Sequence, residues 1–347
     1  MVGPELTSRQ RYILKAIVDD YVATAEPVGS RTISRRYIPN ASPATIRNDM
    51  ADLEELGYIE QPHTSAGRVP TDRGYRYYVD RMLEETPVPE PQSLIIERVL
   101  GAKMRQVEAL VQATVHVLSD TSRLISIMLG PQFEPASLVR IEVVSVAEGR
   151  AVLALVSDAG FVEARLVELK PSLGPGDLKH MTELINGLLQ GRSWEELSRP
   201  GVLRGLRREL GGYESVLDDT IEFLKSSLQP GASQRVYVSG AARLLDLPEF
   251  QDIERTKTVL GLLDHETAVL SLLTERLASQ GVSVTIGREN GLAEMADCSL
   301  VSAPYRMGGR AVGAVAVLGP KRMDYGLIFS LVDMVASSLD ELMDRLA

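Results

Sequence analysis

The chain has very little of several features that mark common classes of protein. Cys298 is the only cysteine among 347 residues, so an intrachain disulfide and a multi-cysteine zinc site are both excluded. We expect its thiol to be buried as a small apolar group. Apolar runs are short, since none approaches the ~18 residues needed to cross a bilayer, and the N-terminus MVGPELTSRQ has no apolar signal region. These features predict a cytoplasmic protein with no membrane partner.

Residue patterns typical of catalysis or metal binding are also scarce. The four histidines are scattered along the chain at His63, His116, His180 and His265. Residues 308–313 are glycine-rich, but the Lys-Ser/Thr pair of a phosphate-binding loop does not follow them, so a hairpin turn is the better interpretation. No serine lies in the Gly-x-Ser-x-Gly context of a nucleophile elbow. The sequence therefore predicts a protein that is not an enzyme, with no cofactor and no metal site.

Charge is distributed unevenly along the chain. The formal net charge is −10, yet residues 1–83 contain 11 basic and 11 acidic side chains and are neutral. Phosphates repel an acidic surface, so a neutral head with clustered arginines is the part best suited to bind nucleic acid. The negative charge of the remainder also keeps a protein soluble, and the two explanations are compatible.

The most informative segment is residues 42–78, SPATIRNDMADLEELGYIEQPHTSAGRVPTDRGYRYY. Ser42 is a favourable N-cap for a helix that Gly57 would end in the left-handed conformation. Helical spacing predicts a buried face formed by Ile46, Met50 and Leu53. The opposite face is small and polar, and it contains Ala44, Thr45, Arg47, Asn48 and Ala51.

This polar face has the chemistry of a DNA-reading helix. Small residues allow close approach to a major groove, and asparagine and arginine make paired hydrogen bonds to adenine and guanine. The C-terminal half of the helix is acidic, with Asp49, Asp52, Glu54 and Glu55. Because phosphates repel these carboxylates, we expect the N-terminal half to face DNA.

A β-hairpin is predicted directly after this helix. Residues 58–61 and 68–70 have strand character, and residues 62–67 form a turn rich in Pro, Ser and Gly. A hairpin in this position is a wing, whose tip offers donors to phosphates or to a minor groove. The candidate donors are His63, Thr64, Ser65 and Arg68. The pattern alone fits both a DNA-binding domain and a protein-interaction module.

Two further helices are predicted before this segment. Thr7 and Gln10 form a capping box at the start of the first. The second, residues 30–37, contains Arg31, Arg35 and Arg36, which are candidate phosphate contacts if it crosses the DNA backbone. Alternatively, Arg35 and Arg36 pair with the acids of the third helix.

The chain resembles the heat-inducible transcription repressor family (HrcA) in two long segments, SPATIRNDMADLEELGYI and HTSAGRVPTDRGYRYYVD. The preceding TSRQRYILKAIVDDYVATAEPVGSRTIS and the C-terminal SLVSAPYRMGGRAVGAVAVLGPKRMDYGLIFSLVDMVASSLDEL are also similar to that family. The resemblance implies a winged helix-turn-helix repressor of chaperone operons. It implies a homodimer that binds an inverted-repeat operator in double-stranded DNA, with an activity that chaperonin modulates.

The remainder of the chain is divided by changes in hydrophobic period. Residues 84–93, EETPVPEPQS, predict a semi-rigid proline-rich linker. Residues 94 to about 129 have a helical period, residues 136–169 have strand signals, and residues 171–232 are helical again. Further strands are predicted at 235–240, 282–287, 298–305 and 309–319, with a closing helix at 327–346. The economical interpretation is one α+β sheet domain interrupted by a helical insertion.

The predicted fold class is therefore α+β multidomain. Its expected parts are a winged helix-turn-helix (1–83), a linker (84–93), a GAF-like domain in two parts (94–170 and 233–347) and an inserted helical dimerisation region (171–232). The GAF-like and dimerisation assignments are implied by the resemblance, because periodicity shows only apolar helical faces that ordinary core would also explain. The alternative function is a small-molecule-responsive regulator with the GAF-like domain as its sensor.

The resemblance and the helix pattern together assign expected roles at the DNA. Arg47 and Asn48 contact bases, Thr45 assists them, and Ala44 permits close approach. Arg31, Ser42 and Arg68 hold phosphates or the minor groove.

Overall fold

The computed structural model describes residues 6–63, 66–100, 107–131, 137–158, 162–169, 174–211, 214–228 and 235–346. The chain divides into two compact units. One consists of residues 1–130 and 236–347, and the other of residues 131–235. Among the described residues, every helix is too short or too polar to span a lipid bilayer.

The first unit begins with a head of four helices and a hairpin. Their bounds are α1 Ser8–Thr24, α2 Ser30–Arg36, α3 Pro43–Glu55, β1 Ile59–Glu60, β2 Val69–Pro70 and α4 Asp72–Met82. The two short strands pair antiparallel, Ile59 with Pro70 and Glu60 with Val69. This order of helices and hairpin is the predicted winged helix-turn-helix.

Local signals fix the helix ends in the head. Thr7 and Gln10 form the predicted capping box at α1, the Ser42 hydroxyl accepts from the Thr45 amide at α3, and Thr71 caps α4. Gly57 has φ +76°, the predicted left-handed stop. Ile46, Met50 and Leu53 are buried, as helical spacing predicts, and Asp49 is buried with them.

Two helices and a strand follow the head: α5 Glu90–Leu100, α6 Val107–Ser122 and β3 Ile125–Leu129. The predicted linker (84–93) is therefore too long, because α5 begins at Glu90. The predicted helix to residue 129 is also wrong at its end. All five residues of β3 are buried, and a short run that is buried throughout has no period that separates strand from helix.

The second unit is a three-stranded antiparallel sheet packed with helices. Its elements are β4 Leu138–Ala147, β5 Arg150–Ser157, β6 Val162–Glu168, α7 Pro175–Leu189, α8 Trp194–Leu197, α9 Pro200–Glu209 and α10 Glu214–Leu228. The sheet order is β4-β5-β6. One face of this sheet and the apolar sides of the helices form a single core.

This sheet corrects the predicted domain organisation. The strands of residues 136–169 were expected to join those of 235–319, but they form a separate sheet with the helices of 171–232. The insertion therefore begins near residue 131 rather than 171, and the expected first GAF-like part (94–170) is split. Alternation shows which face of a strand is buried, but not which strand lies beside it.

The first unit is completed by residues 236–346. They form β7 Val236–Ser239, α11 Ile253–Asp264, α12 Glu266–Thr274, β8 Ser283–Ile286, β9 Cys298–Met307, β10 Arg310–Pro320 and α13 Tyr325–Leu346. With β3, the strands make an antiparallel five-stranded sheet of order β7-β3-β10-β9-β8. Helices cover both faces, α6 and α13 on one and α11 and α12 on the other.

We call residues 84–130 and 236–346 the sheet domain. The strand signals predicted between 235 and 319 are confirmed. Cys298 is buried there, as predicted, and burial raises the pKa of its thiol to about 12.

Candidate nucleic-acid interface

The N-terminal half of α3 presents its polar face to solvent. Ala44, Arg47 and Asn48 are exposed, and Thr45 is half-buried. The Ser42 hydroxyl accepts from the Thr45 amide at 3.1 Å and lies 2.9 Å from the Thr45 hydroxyl. The free amides and the dipole of this helix end both favour a neighbouring anion. The geometry therefore permits α3 to approach DNA with its first turns.

The buried acid of α3 is neutralised by an arginine of α1. Arg9 donates to both carboxylate oxygens of Asp49, with Nε–Oδ2 at 2.7 Å and a second contact to Oδ1 at 2.9 Å. Asp49 raises the pKa of Arg9 through this hydrogen bond and its charge. The paired geometry fixes the rotation of α3 against α1, since Arg–carboxylate forks are directional. Sequence analysis did not identify Arg9, because a pairing across 40 residues leaves no local signal.

Two other acids of α3 also have partners. Gln10 donates to Asp52 at 3.3 Å, and Arg68 donates to Glu54 through Nε at 2.9 Å. Glu55 is exposed at the C-terminal end. Asp52 and Glu55 are therefore the α3 carboxylates that are exposed without an ion pair to a described residue, and both lie in the half expected to point away from phosphates.

The wing is held to the rest of the head at its base. Arg68 and Val28 exchange two backbone hydrogen bonds, each of 2.9 Å. Gly67 makes this approach possible, because a Cβ there would lie 2.5 Å from the Val28 backbone. The Arg68 side chain is 21% exposed and its guanidinium binds Glu54.

These contacts correct the predicted place of Arg68. It was expected at the wing tip as a donor to DNA, but it lies at the base and braces the wing against α3. His63 is exposed near the tip. Thr64 and Ser65, the other predicted tip donors, lie outside the described residues.

The arginines of α2 are in different environments. Arg36 donates to the buried Asp20 of α1 at 2.8 Å, and Asp20 also accepts from the Tyr37 hydroxyl. The alternative pairing with the acids of the third helix is therefore wrong for Arg36. Arg31 and Arg35 are exposed, and neither makes an ion pair with a described residue. They are the cations of α2 available to an outside anion.

Comparison with known families gives two matches that together cover most of the chain. A family model described as a winged helix-turn-helix transcription repressor, HrcA DNA-binding, matches residues 5–82. A second, described as the HrcA protein C terminal domain, matches residues 108–328. The first match coincides with the head, and the second extends through the second unit and most of the sheet domain.

Full-length relatives give the same result. The chain is 44% identical to a heat-inducible transcription repressor HrcA of Symbiobacterium thermophilum over 98% of this chain and 99% of the relative. It is 40% identical to the protein of the same name from Pelotomaculum thermopropionicum, over 99% and 98%.

A solved structure titled only as a hypothetical protein at 2.2 Å resolution has a similar fold. Its TM-score is 0.69 at 24% identity, with 99% of this chain and 100% of that chain covered. The geometry and the family matches agree with one another. The head has exposed residues suited to contact bases with a wing beside them, and the DNA-binding family model matches the same residues. The chain belongs to the heat-inducible transcription repressor family HrcA, and its head is a winged helix-turn-helix DNA-binding domain.

Proposed function

We propose that this repressor binds an inverted-repeat operator as a homodimer, with α3 of each copy in a major groove. Arg47 and Asn48 contact base edges, Thr45 assists, and Ala44 allows close approach. The main observation in support is that Ala44, Arg47 and Asn48 are all exposed. In addition, Asp49 and Glu54 form ion pairs with arginines of the head. Unpaired carboxylates in the first turns of the helix would be repelled by phosphates, but the exposed unpaired acids of α3, Asp52 and Glu55, lie in its C-terminal half.

Phosphate contacts are proposed around this reading helix. Arg31 supplies an exposed cation on α2, which packs against α3. Ser42 lies at the N-terminal end of α3, where an anion is favoured. His63, Thr64 and Ser65 of the wing are proposed to contact the backbone or minor groove, and Arg68 contributes by holding the wing in place.

Substitution of two arginines tests this interface. Arg47→Ala should weaken operator binding by about 1–3 kcal/mol and relax preference at one base pair. Arg31→Ala should weaken binding to all sequences alike and reduce the slope of log affinity against log salt by about 1. Affinity is measured by fluorescence anisotropy on the repeat that the protein protects in a footprint of the DNA upstream of its own coding sequence.

The control is Lys257→Ala, which removes a cation from α11 in the sheet domain. It should leave operator affinity and salt slope at wild-type values. Wild-type binding by both arginine variants would show that the assigned surface is wrong.

Dimerisation is supported by an exposed apolar face on the second unit. The helical stripes of 171–232 are core: Met181, Leu189, Val216, Phe223 and Leu224 are buried. The exposed apolar side chains lie on the sheet, where Val144 is 51%, Val162 71% and Leu166 57% exposed.

The strand register gathers these apolar residues on one face. It aligns Val144 with Val152 and Val152 with Leu166, giving an apolar row across three strands. An exposed apolar row of this kind favours a protein partner, and we propose a second copy of the chain. The sheet rather than the helices would then form the interface.

Control by chaperonin is proposed from the demands of folding this chain. The sheet domain pairs β3 with β10, and the whole second unit lies in sequence between β3 and β7. Such distant pairing slows folding and exposes apolar surface in the meantime. When chaperonin is occupied by other unfolded proteins, less repressor folds and operators are vacated.

One refolding experiment distinguishes control by chaperonin from the small-molecule alternative. Refolding the chain with and without chaperonin, then measuring operator-binding capacity, should show a higher active fraction with chaperonin. An unchanged fraction, together with affinity that responds to a metabolite, would favour a sensor role for the GAF-like domain.

A further inference from the structure

The helix after the wing joins the head to the sheet domain through a charged cluster. Arg76 of α4 donates through Nε to Glu289 at 2.9 Å and also contacts the other oxygen of that carboxylate. The same guanidinium donates to the Val284 carbonyl of β8 at 2.7 Å. Glu289 is oriented by the Ile286 amide, which donates to it at 2.9 Å. The hydrogen bonds of Arg76 raise its pKa.

A second contact lies one turn earlier on α4. Asp72 accepts from Lys321, which follows β10, at 2.8 Å. A Cβ at Gly287 would lie 2.3 Å from the Asp72 carboxylate, and Gly287 has φ +54°. A side chain at position 287 would therefore have to push the Asp72 carboxylate aside, and the left-handed backbone conformation there also favours glycine.

Two further contacts hold other points of the head. Tyr75 of α4 is buried, with its ring centroid 5.9 Å from that of Tyr325 at the start of α13. Arg322 donates to the Val22 carbonyl near the end of α1 at 2.6 Å, and its guanidinium also binds Glu249. The head is thus attached through both α1 and α4, which restrains rotation as well as separation.

The Arg76–Glu289 pair is stronger than an ordinary surface ion pair. Isolated exposed pairs contribute little because water screens them and ordering long side chains costs entropy. Here the pair is forked, its side chains are 29% and 36% exposed, and a backbone carbonyl is engaged as well. Forked arginine–carboxylate contacts also constrain angle, which is the property needed to orient a domain.

We infer that Arg76 and Glu289 are positioning residues for operator binding, which fix the angle of the head on the sheet domain and so select the spacing of the two half-sites. The inference rests on the proposed dimer on an inverted repeat. Once one head is bound, the second binds intramolecularly, which raises the overall affinity by a factor on the order of 10²–10⁴. This increase is lost if the geometry prevents the two heads from binding at the same time. A dimer whose heads are held at a fixed angle therefore binds tightly at one half-site spacing only. A dimer whose heads can rotate binds at several spacings.

The test compares full-length wild type with Arg76→Gln and Glu289→Gln on three duplexes. One carries the footprinted repeat, one has its half-sites moved apart by about 5 base pairs, half a helical turn, and one carries a single half-site. Arg81→Gln is the matched control, because Arg81 is exposed in the last turn of the same helix and makes no ion pair with a described residue.

Wild type and Arg81→Gln should lose on the order of 100-fold affinity when the half-sites move. Arg76→Gln and Glu289→Gln should lose less than about tenfold and should bind the single half-site as wild type does, since each head is intact. Lys321→Gln, which releases Asp72 instead, should change spacing tolerance in the same direction.

Three results would overturn parts of this account, and they differ from one another. Variants that keep the wild-type spacing preference would show that the cluster does not orient the head. Variants that lose single half-site affinity would place Arg76 in the fold or DNA surface of the head itself. Wild type that ignores spacing would instead contradict the proposed dimer on a repeat.

Discussion

At the scale of single residues, two tyrosines that pack together differ in how their hydroxyls are satisfied. The Tyr325 hydroxyl lies 2.8 Å from the Ser299 hydroxyl and donates to the Lys321 carbonyl at 2.7 Å. The Tyr75 hydroxyl is buried and has no hydrogen-bond partner among the described residues. Burial raises the pKa of Tyr75 well above its usual value, so the hydroxyl stays neutral and carries only a desolvation cost.

This difference predicts opposite effects of the same substitution. Tyr75→Phe should raise the free energy of unfolding by about 1 kcal/mol, because it removes an unpaired buried hydroxyl. Tyr325→Phe should lower it by about 1–3 kcal/mol, because Ser299 then loses its partner. Urea unfolding followed by circular dichroism measures both, and a destabilised Tyr75→Phe would show that its hydroxyl is satisfied after all.

At the scale of elements, the N-terminus of α3 has two functions that involve the same residue. The Ser42 hydroxyl caps the helix by accepting from the Thr45 amide, and the same helix end is the proposed approach to phosphate. A neutral and a negatively charged capping side chain both stabilise the helix, whereas DNA phosphates repel only the charged one.

Substitutions at Ser42 therefore separate folding from binding. Ser42→Ala should lower the free energy of unfolding by about 1 kcal/mol through loss of the cap. Ser42→Asp should keep wild-type stability, since aspartate caps equally well, but should bind operator at least roughly tenfold more weakly because its charge faces phosphate. Equal operator affinity of wild type and Ser42→Asp would place this helix end away from DNA.

At the scale of the whole molecule, the two units contribute different parts of the proposed repressor. The first contains the head and the sheet domain, and the second has the exposed apolar sheet face. Burying a leucine between copies contributes about 1.5–3 kcal/mol, so one charged substitution on this sheet face is enough to test the interface.

Leu166→Lys should weaken dimerisation by roughly tenfold to a hundredfold, because a lysine in a closed interface loses its hydration without a partner. Sedimentation equilibrium measures the change in dimer affinity. The control is Gln190→Lys, an equal charge change at an exposed position after α7. A Leu166→Lys dimer as tight as wild type would exclude this face as the contact.

The sequence by itself determined the elements that depend on neighbours along the chain. Caps at Thr7, Ser42 and Thr71, the stop at Gly57 and the buried stripe of α3 all follow from contacts within a few residues. The polar first turns of α3 and the hairpin after it belong to this class, and so the helix and the wing were predictable as structural elements. Long motifs of matching order were sufficient to indicate the family.

Only the tertiary structure decided what depends on residues far apart in sequence. In the tertiary structure, residues 125–129 form a strand, and the strands β4, β5 and β6 belong to the second unit. The exposed apolar surface lies on that sheet rather than on the helices. The tertiary structure also paired Arg9 with Asp49 and Arg68 with Glu54, and it placed Arg68 at the base of the wing rather than at its tip. The physical reason is that hydrophobic periodicity indicates which face of an element is buried, whereas the partner that covers this face depends on tertiary packing.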